Sequence, residues 1–487
     1  SGGRRRRSDV LAELAQEIPA HRLEPLQEDL RERLRANPAL SARAELVELI
    51  PERFSVASLP ASSSEAAIAD TDALSLLFKG NTRGAGLAEA LAARTRKCIS
   101  FQTLAELHAW VMYRCFSADR IRHLEHFLSE YEVAYPDEST CLLWATLMNH
   151  CRLSGRPGGP QDVWIAATAL RRGAALCTAN AKDYDYLPWL QFVAAASAAG
   201  ARLEPMGASD VGADTHDPEV VDAERARGLP ATSFRWPRGE VLVTSVVVQN
   251  FASDLAEVPP ELKAVFGRTI AAEILPGGMA GRRCRSDVRV DLGRRLGIDR
   301  VAAAQDELRE RLRSNPTLAG QADGIDVVPE EVVVASQPRP RCAVLIDTSA
   351  IQVLLRDGAS AAAFRQKLSK VSERHICFQT VAEICAWTME HSLRERRIRR
   401  LEEVLAEYEV TYPDELTCLL WATLMNRCRS QARPCGAQEM WLAASALRQG
   451  AMICTANIES YAHLPNLRFL TPTRDDSRST GGLLVSR

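Results

Sequence analysis

The chain has 487 residues, 46% of them hydrophobic and 25% charged, and its 60 Lys and Arg against 62 Asp and Glu leave a net charge of −2. Such a chain is not a polybasic nucleic-acid coat, so any contact with nucleic acid has to come from a local patch. No run approaches the ~18–20 apolar residues of a membrane span, and no apolar signal segment follows Arg4-Arg5-Arg6-Arg7, so no membrane partner is expected.

In chain order, the four arginines read as a solvated tail. A helical stretch then runs through Leu30–Arg35 to Asn37-Pro38, where proline stops it. A short apolar strand from Ala66 to Ala69 ends at Asp70, and a second lies around Ile99 to Phe101. Long helical stretches are expected at about 103–131 and 137–153, another helix from near Asp162, and a strand from Ala174 to Thr178. Strands alternating with helices predict α/β architecture: a parallel sheet with helices on both faces.

The order then repeats. Phe101-Gln102-Thr103 recurs as Phe378-Gln379-Thr380, and CLLWATLMN starts at both Cys141 and Cys418. CTAN ends at Asn180 and again at Asn457, always 277 residues on, without a gap from about 66–194 to 343–471. Upstream, Leu30–Arg35 matches Leu308–Arg313. A period this long means duplicated domains and not a solenoid. Between the copies, the polar residues beyond 200 read as linker, and 239–249 (GEVLVTSVVVQ) as a strand without an assigned partner. The 13 cysteines form no zinc-like CxxC pair. They read as free, partly core thiols of a reducing compartment, which points to the cytoplasm. The first residue is Ser1, which leaves open an organellar targeting segment ahead of it.

Carboxylates fall where such a sheet builds sites, outside the carboxyl ends of its strands. Asp70 ends the first strand beside Thr71, Glu106 follows the second, Asp162 opens a later helix, and Asp183 follows the third strand beyond Asn180. Clustered oxygen ligands suit Mg²⁺ or Mn²⁺, which would relieve their mutual repulsion. Each has a plainer reading as well. Thr103-Leu104-Ala105-Glu106 is also a capping-box pattern, Asp162 also suits a helix dipole, Asp70 also suits a turn, and Asp183 a solvated loop. Their order along the chain, partly repeated, favours a site. In the second copy Asp347 and Glu383 remain, Glu439 stands where Asp162 would, Ser460 replaces Asp183, and Asn457 matches Asn180. The extra methylene and the lost charge predict weak metal binding there.

Three motifs carry a family resemblance: the strand into Asp-Thr (AIADTDALSLL from Ala67; VLIDTSAIQVLL from Val344), TLAEL from Thr103 with TVAEI from Thr380, and the stretch Gly155 to Tyr184. In these the chain resembles the PIN-domain family, especially VapC-type toxin ribonucleases. The resemblance implies two PIN-like α/β/α domains, each a parallel sheet flanked by helices; the helical N-terminal extensions expected beside them lie outside it. It implies catalytic, metal-holding acids at Asp70, Glu106, Asp162 and Asp183, with Mg²⁺ or Mn²⁺ as cofactor. The weaker second-copy equivalents are Asp347, Glu383 and Glu439, with Thr71, Asn180 and Asn457 nearby. The implied activity is metal-dependent hydrolysis of RNA phosphodiester bonds by the first domain, the second being degraded. The alternative is a catalytically silent tandem that binds RNA or a protein partner. An antitoxin-like partner and an intramolecular PIN–PIN pseudo-dimer, with helix 136–149 and its match 413–426 as the candidate interface, are further expectations; for that helix, ordinary core is the competing reading. RNA-contacting arginines are sought at Arg31, Arg33, Arg35, Arg309, Arg311, Arg313, Arg171 and Arg172, although the first six also fit a solvated helix face. The expected division is a helical extension at 1–65, the first domain at 66–198, an uncertain linker at 199–284, a second helical extension at 285–342, the second domain at 343–471 and a disordered tail at 472–487.

Overall fold

The computed structural model describes residues 23–38, 65–193 and 342–472, apart from breaks at 81–83, 115, 117, 157, 357, 392–394 and 431–435. It also describes 241–249, 260–266, 269–274, 288–297, 300–334, 484–485 and the single residues 41, 44 and 251. The arginine run Arg4–Arg7, the polar linker stretch 200–240 and most of the tail after 472 lie outside the described residues.

After helix α1 (Leu23–Arg35) the first copy runs β1 (Ala66–Ala69), α2 (Thr71–Phe78), α3 (Ala85–Ala92), β2 (Arg96–Ser100), α4 (Phe101–Tyr113), α5 (Ala118–Leu128), β3 (Tyr131–Ala134), α6 (Glu138–Leu153), α7 (Pro160–Arg172) and β4 (Ala175–Cys177). The sheet order is β3-β2-β1-β4, with every pairing parallel. All four residues of β1 are buried, as a central parallel strand covered on both faces requires. One expectation is corrected here. The stretch 103–131 is not one helix: α4 and α5 are separate, and the alternation of Tyr131 and Val133 makes β3, a strand the sequence reading passed over.

The described residues between the copies include a sheet. Strand β5 (Val241–Gln249) is followed by α8 (Pro260–Phe266), β6 (Thr269–Ile274), β7 (Val288–Gly297), α9 (Val301–Arg313) and β8 (Asp326–Val334). The strands form one antiparallel sheet in the order β6-β7-β5-β8. The strand that had no partner therefore has two, and the stretch expected as a helical extension at 285–342 holds one helix between two strands.

The second copy repeats the first: β9 (Ala343–Ile346), α10 (Thr348–Leu354), α11 (Ala359–Leu368), β10 (Glu373–Cys377), α12 (Phe378–His391), α13 (Glu395–Leu405), β11 (Glu409–Thr411), α14 (Glu415–Ser430), α15 (Ala437–Gln449) and β12 (Met452–Cys454). Its sheet extends through β13 (Arg468–Leu470), parallel to β12, to β14 (Leu484–Val485), antiparallel to β13. Among the described residues no helix is long and apolar enough to cross a membrane.

The two copies share a core. Helix α6 packs on α12, and α14 on α4. Cys141 Sγ reaches the Phe378 carbonyl at 3.5 Å, and Cys418 Sγ reaches the Phe101 carbonyl at 3.5 Å. The Phe101 and Phe378 rings meet edge to face with centroids 5.3 Å apart. On either side, Trp144 stacks on Trp164 and Trp421 on Trp441 within their own copies. The two readings of helix α6 are thus both realised: Trp144 faces its own domain while Cys141 faces the other.

Candidate active site

Asp70 stands in the turn from β1 to α2. Its backbone N–H is held by the Cys177 carbonyl at 3.0 Å, and its Oδ1 caps α2 by accepting from Ala73 N at 2.7 Å. It is 4% exposed, and burial pushes its carboxyl up to about 6 against the opposing hydroxyl bond from Thr178. Glu106 does not make the capping box its sequence allows. Helix α4 starts earlier, capped by Ser100, whose Oγ accepts from Thr103 N at 2.9 Å. The Glu106 carboxylate is left for the site: Thr71 Oγ1 donates to its Oε2, and Gln102 Nε2 donates to its Oε1 at 2.9 Å. Burial raises Glu106 to about 7, those two donors oppose the rise, and the charges of Asp162 and Asp70 add to it.

Asp162 lies in the first turn of α7, whose cap, Gly159, offers no side chain. The carboxylate folds back over that glycine so closely that a Cβ there would overlap Asp162 Oδ2. Burial raises Asp162 to about 6, with further push from Asp183 and Asp72. Asp183 is exposed, in a short 3-10 turn after β4, and Asn180 Nδ2 holds its Oδ2 at 2.6 Å. One side chain senses the whole set. The Tyr184 phenol, 2% exposed, is pushed up by burial and then by the charges of Asp70, Asp162, Glu106 and Asp183. The charges of all four acids foreseen from sequence therefore act on this one phenol. Asp72, Gln102, Thr178 and Tyr184 were not singled out. Asp72 was visible as the third residue of Asp-Thr-Asp, set against Asp-Thr-Ser in the second copy.

The second copy has the same frame with a different chemistry. Asp347 caps α10 by accepting from Ala350 N at 2.8 Å. Ser349, at the position of Asp72, donates to its Oδ1 and Oδ2 at 2.8 and 3.0 Å, and Thr455 Oγ1 donates to Oδ2. Glu383 keeps the donors Thr348 and Gln379. The Glu439 carboxylate also folds over its helix-cap glycine, Gly436, and its buried Oε2 has no hydrogen-bond partner. Asn457 Nδ2 donates to Ser460 Oγ at 2.8 Å, where the first copy has Asp183. A cavity of ≈ 170 Å³ is lined by Asp347, Glu383, Glu439, Ser460 and Tyr461 among others.

Among the described residues no three His, Cys, Asp or Glu side chains are already gathered closely enough to hold an ion. The candidate donors of the first copy nevertheless suit a hard divalent cation: they are carboxylate oxygens, and burial pushes three of the carboxyls upward. A cation would compensate their charge.

Among the described residues, each of the eight arginines named from sequence has an acidic or carbonyl partner. Arg31 and Arg35 pair with Glu28, Arg33 with Asp29, Arg311 with Glu307 and Arg313 with Asp323. Arg309 binds the Ile325 carbonyl and Asp326, Arg171 binds Asp137, and Arg172 faces Glu132 at 3.8 Å.

The PIN domain family model matches residues 67–187 and 344–463. Ribonuclease VapC1 of Haemophilus influenzae (strain R2866) is 35% identical over 97 residues, 20% of this chain and 72% of that protein. Ribonuclease VapC1 of strain ATCC 51907 / DSM 11121 / KW20 / Rd is 27% identical over 126 residues, 26% of this chain and 94% of that protein. A solved structure of VapBC-1 from nontypeable Haemophilus influenzae matches at 24% identity and a TM-score of 0.25, covering 27% of this chain and 99% of that one. The chain belongs to the PIN domain family and carries the domain twice.

Proposed function

We propose that the first copy is a divalent-metal-dependent endoribonuclease and that the second copy is catalytically degraded. What supports this is that the charges of Asp70, Asp162, Glu106 and Asp183 all act on the buried Tyr184 phenol, with Asp70, Glu106 and Asp183 following β1, β2 and β4 in the chain. Similarity to the VapC1 ribonucleases supports RNA as the substrate class.

Asp70, Glu106, Asp162 and Asp183 would hold Mg²⁺ or Mn²⁺. When bound, such an ion lowers the pKa of a water and offsets charge on the phosphoryl transition state. The chain's own contribution is to present charged oxygens in fixed places. Ala73 N and Thr178 hold Asp70, while Thr71 and Gln102 hold Glu106 with both oxygens engaged. The first turns of α2 and α7 add positive helix-end potential beside Asp70 and Asp162. In the second copy two of five acidic positions are serine, and Ser349 occupies both oxygens of Asp347. An antitoxin-like protein partner, covering the acidic edge, belongs to the same reading.

The test is cleavage of labelled single-stranded and hairpin RNAs with Mg²⁺ or Mn²⁺. Loss of cleavage in EDTA and in Asp70→Asn, with Asp347→Asn near wild type, is expected. Metal-dependent cleavage that survives Asp70→Asn would overturn the assignment to the first copy.

A further inference from the structure

The two copies are joined by more than packed rings. Gln102 is 0% exposed, and its amide lies between two partners from different domains. On one side Trp441 of the second copy donates its indole Nε1–H to Gln102 Oε1 at 3.1 Å. On the other, Gln102 Nε2 donates to Glu106 Oε1 at 2.9 Å. The arrangement repeats with the copies exchanged. Trp164 Nε1 donates to Gln379 Oε1 at 2.9 Å, and Gln379 Nε2 donates to Glu383 Oε1 at 3.1 Å. Each domain's glutamate is thus held by its own glutamine, and each glutamine is oriented by the other domain's tryptophan.

The chemistry of the three groups leaves one arrangement. An indole nitrogen only donates, and an ionised carboxylate only accepts. A buried primary amide between them must turn its oxygen to the tryptophan and its nitrogen to the glutamate. Without the indole N–H, either amide face could meet Glu106, and the flipped form would set a carbonyl oxygen against a carboxylate. Without the amide donor, Glu106 would keep only Thr71 as a neutral donor against the burial that already raises its pKa.

We propose that Trp441 is a positioning residue for the first copy's acidic centre, fixing Gln102 so that Glu106 is presented as a held, charged ligand. The proposal rests on the reading of that centre as a divalent-cation site. It gives the second copy a function that does not need its own acids. Serine at 349 and 460 and glutamate at 439 leave the Trp441–Gln102–Glu106 chain untouched.

The crossed geometry supplies its own control. Trp441→Phe removes a donor far along the chain from the first site but connected to it. Trp164→Phe removes the matching donor on α7, two residues from Asp162, but one that serves Gln379. The experiment is Mn²⁺ titration of the full chain by calorimetry, with every protein carrying Asp347→Asn so that the first copy reports alone. Loss of an outer hydrogen-bonding partner weakens a metal site by about 10–100-fold. Trp441→Phe, one bond further out, is expected to weaken Mn²⁺ binding about tenfold, and Trp164→Phe less than about twofold. Both should lower the thermal midpoint by similar amounts, because each leaves one buried amide oxygen unpaired.

Equal weakening by the two variants would mean that only the shared packing matters, and would overturn the proposal. So would an unchanged affinity in Trp441→Phe. If Trp441→Phe fails to fold, benzothienylalanine at position 441 keeps the ring's shape without its N–H, and the same tenfold loss is expected. Absence of Mn²⁺ binding by the parent protein would instead overturn the metal-site reading, and the relay with it.

Discussion

Asp70 shows what burying several carboxyls together costs a protein. Its folded pKa of about 6, with about 7 for Glu106 and about 6 for Asp162, lies above the unfolded carboxylate range. The native state therefore binds more protons than the unfolded state in that window. The stability these groups contribute is whole below their unfolded pKa values and is lost as pH rises through the folded ones. In EDTA the thermal midpoint is expected to fall between about pH 5 and pH 8, and Mn²⁺ should restore it. Asp70→Asn should raise the metal-free midpoint at pH 8, by a free energy on the order of 1–3 kcal/mol, while abolishing cleavage. A metal-free variant no more stable than wild type at pH 8 would contradict this account. The second copy gives the reverse test: Ser349→Asp with Glu439→Asp and Ser460→Asp should raise its Mn²⁺ affinity at least tenfold in an Asp70→Asn background, measured by titration. At this scale the acids could be singled out only as a set, by their order along the chain and its partial repeat, since each alone also reads as a cap, turn or loop residue. Gln102 and Thr178 were not, since their role depends on which hydrogen-bond partners folding brings to them.

Helix α7 is aimed by its first turn. Gly159 caps it with φ −63° and ψ 123°, a conformation open to any residue, so backbone freedom does not explain the glycine. The space over its Cα is filled by the Asp162 carboxylate. Gly159→Ala is therefore expected to leave the helix and the thermal midpoint nearly unchanged but to displace Asp162, lowering Mn²⁺ affinity several-fold. Titration and melting of the same variant separate the two effects, and a large loss of stability with intact affinity would refute the argument. Among the elements, β1, β2 and β4 could be read directly, because a buried parallel strand is a short apolar run that ends in a turn. Strand β3 was passed over because its four residues lie between two helical patterns, the first of which was carried as far as Tyr131. The central sheet was hidden for another reason: β5 finds its neighbours β7 and β8 tens of residues away, and only one of its strands stood out from its surroundings.

The whole molecule is a pseudo-dimer made from one chain, and its core belongs to both copies. Phe101 and Phe378, each 0% exposed, pack on one another and on the other copy's Trp441 and Trp164. The sequence repeat announced two domains but could not show this seam, since a leucine or tryptophan facing its own sheet and one facing a neighbour look alike in sequence. With this seam formed within one chain, the full chain is expected to be a monomer by light scattering. A core divided between two domains also couples their unfolding. Removing a buried phenylalanine costs about 3–5 kcal/mol. If the seam is shared, Phe101→Ala should lower the melting of both copies together, in a single calorimetric transition at a reduced midpoint. If the copies were stable alone, the variant would shift one transition and leave a second in place. Scanning calorimetry with fluorescence of the tryptophans as a second probe decides between these outcomes. Coincident curves would mean that the second copy is part of the fold on which the first copy's acids stand.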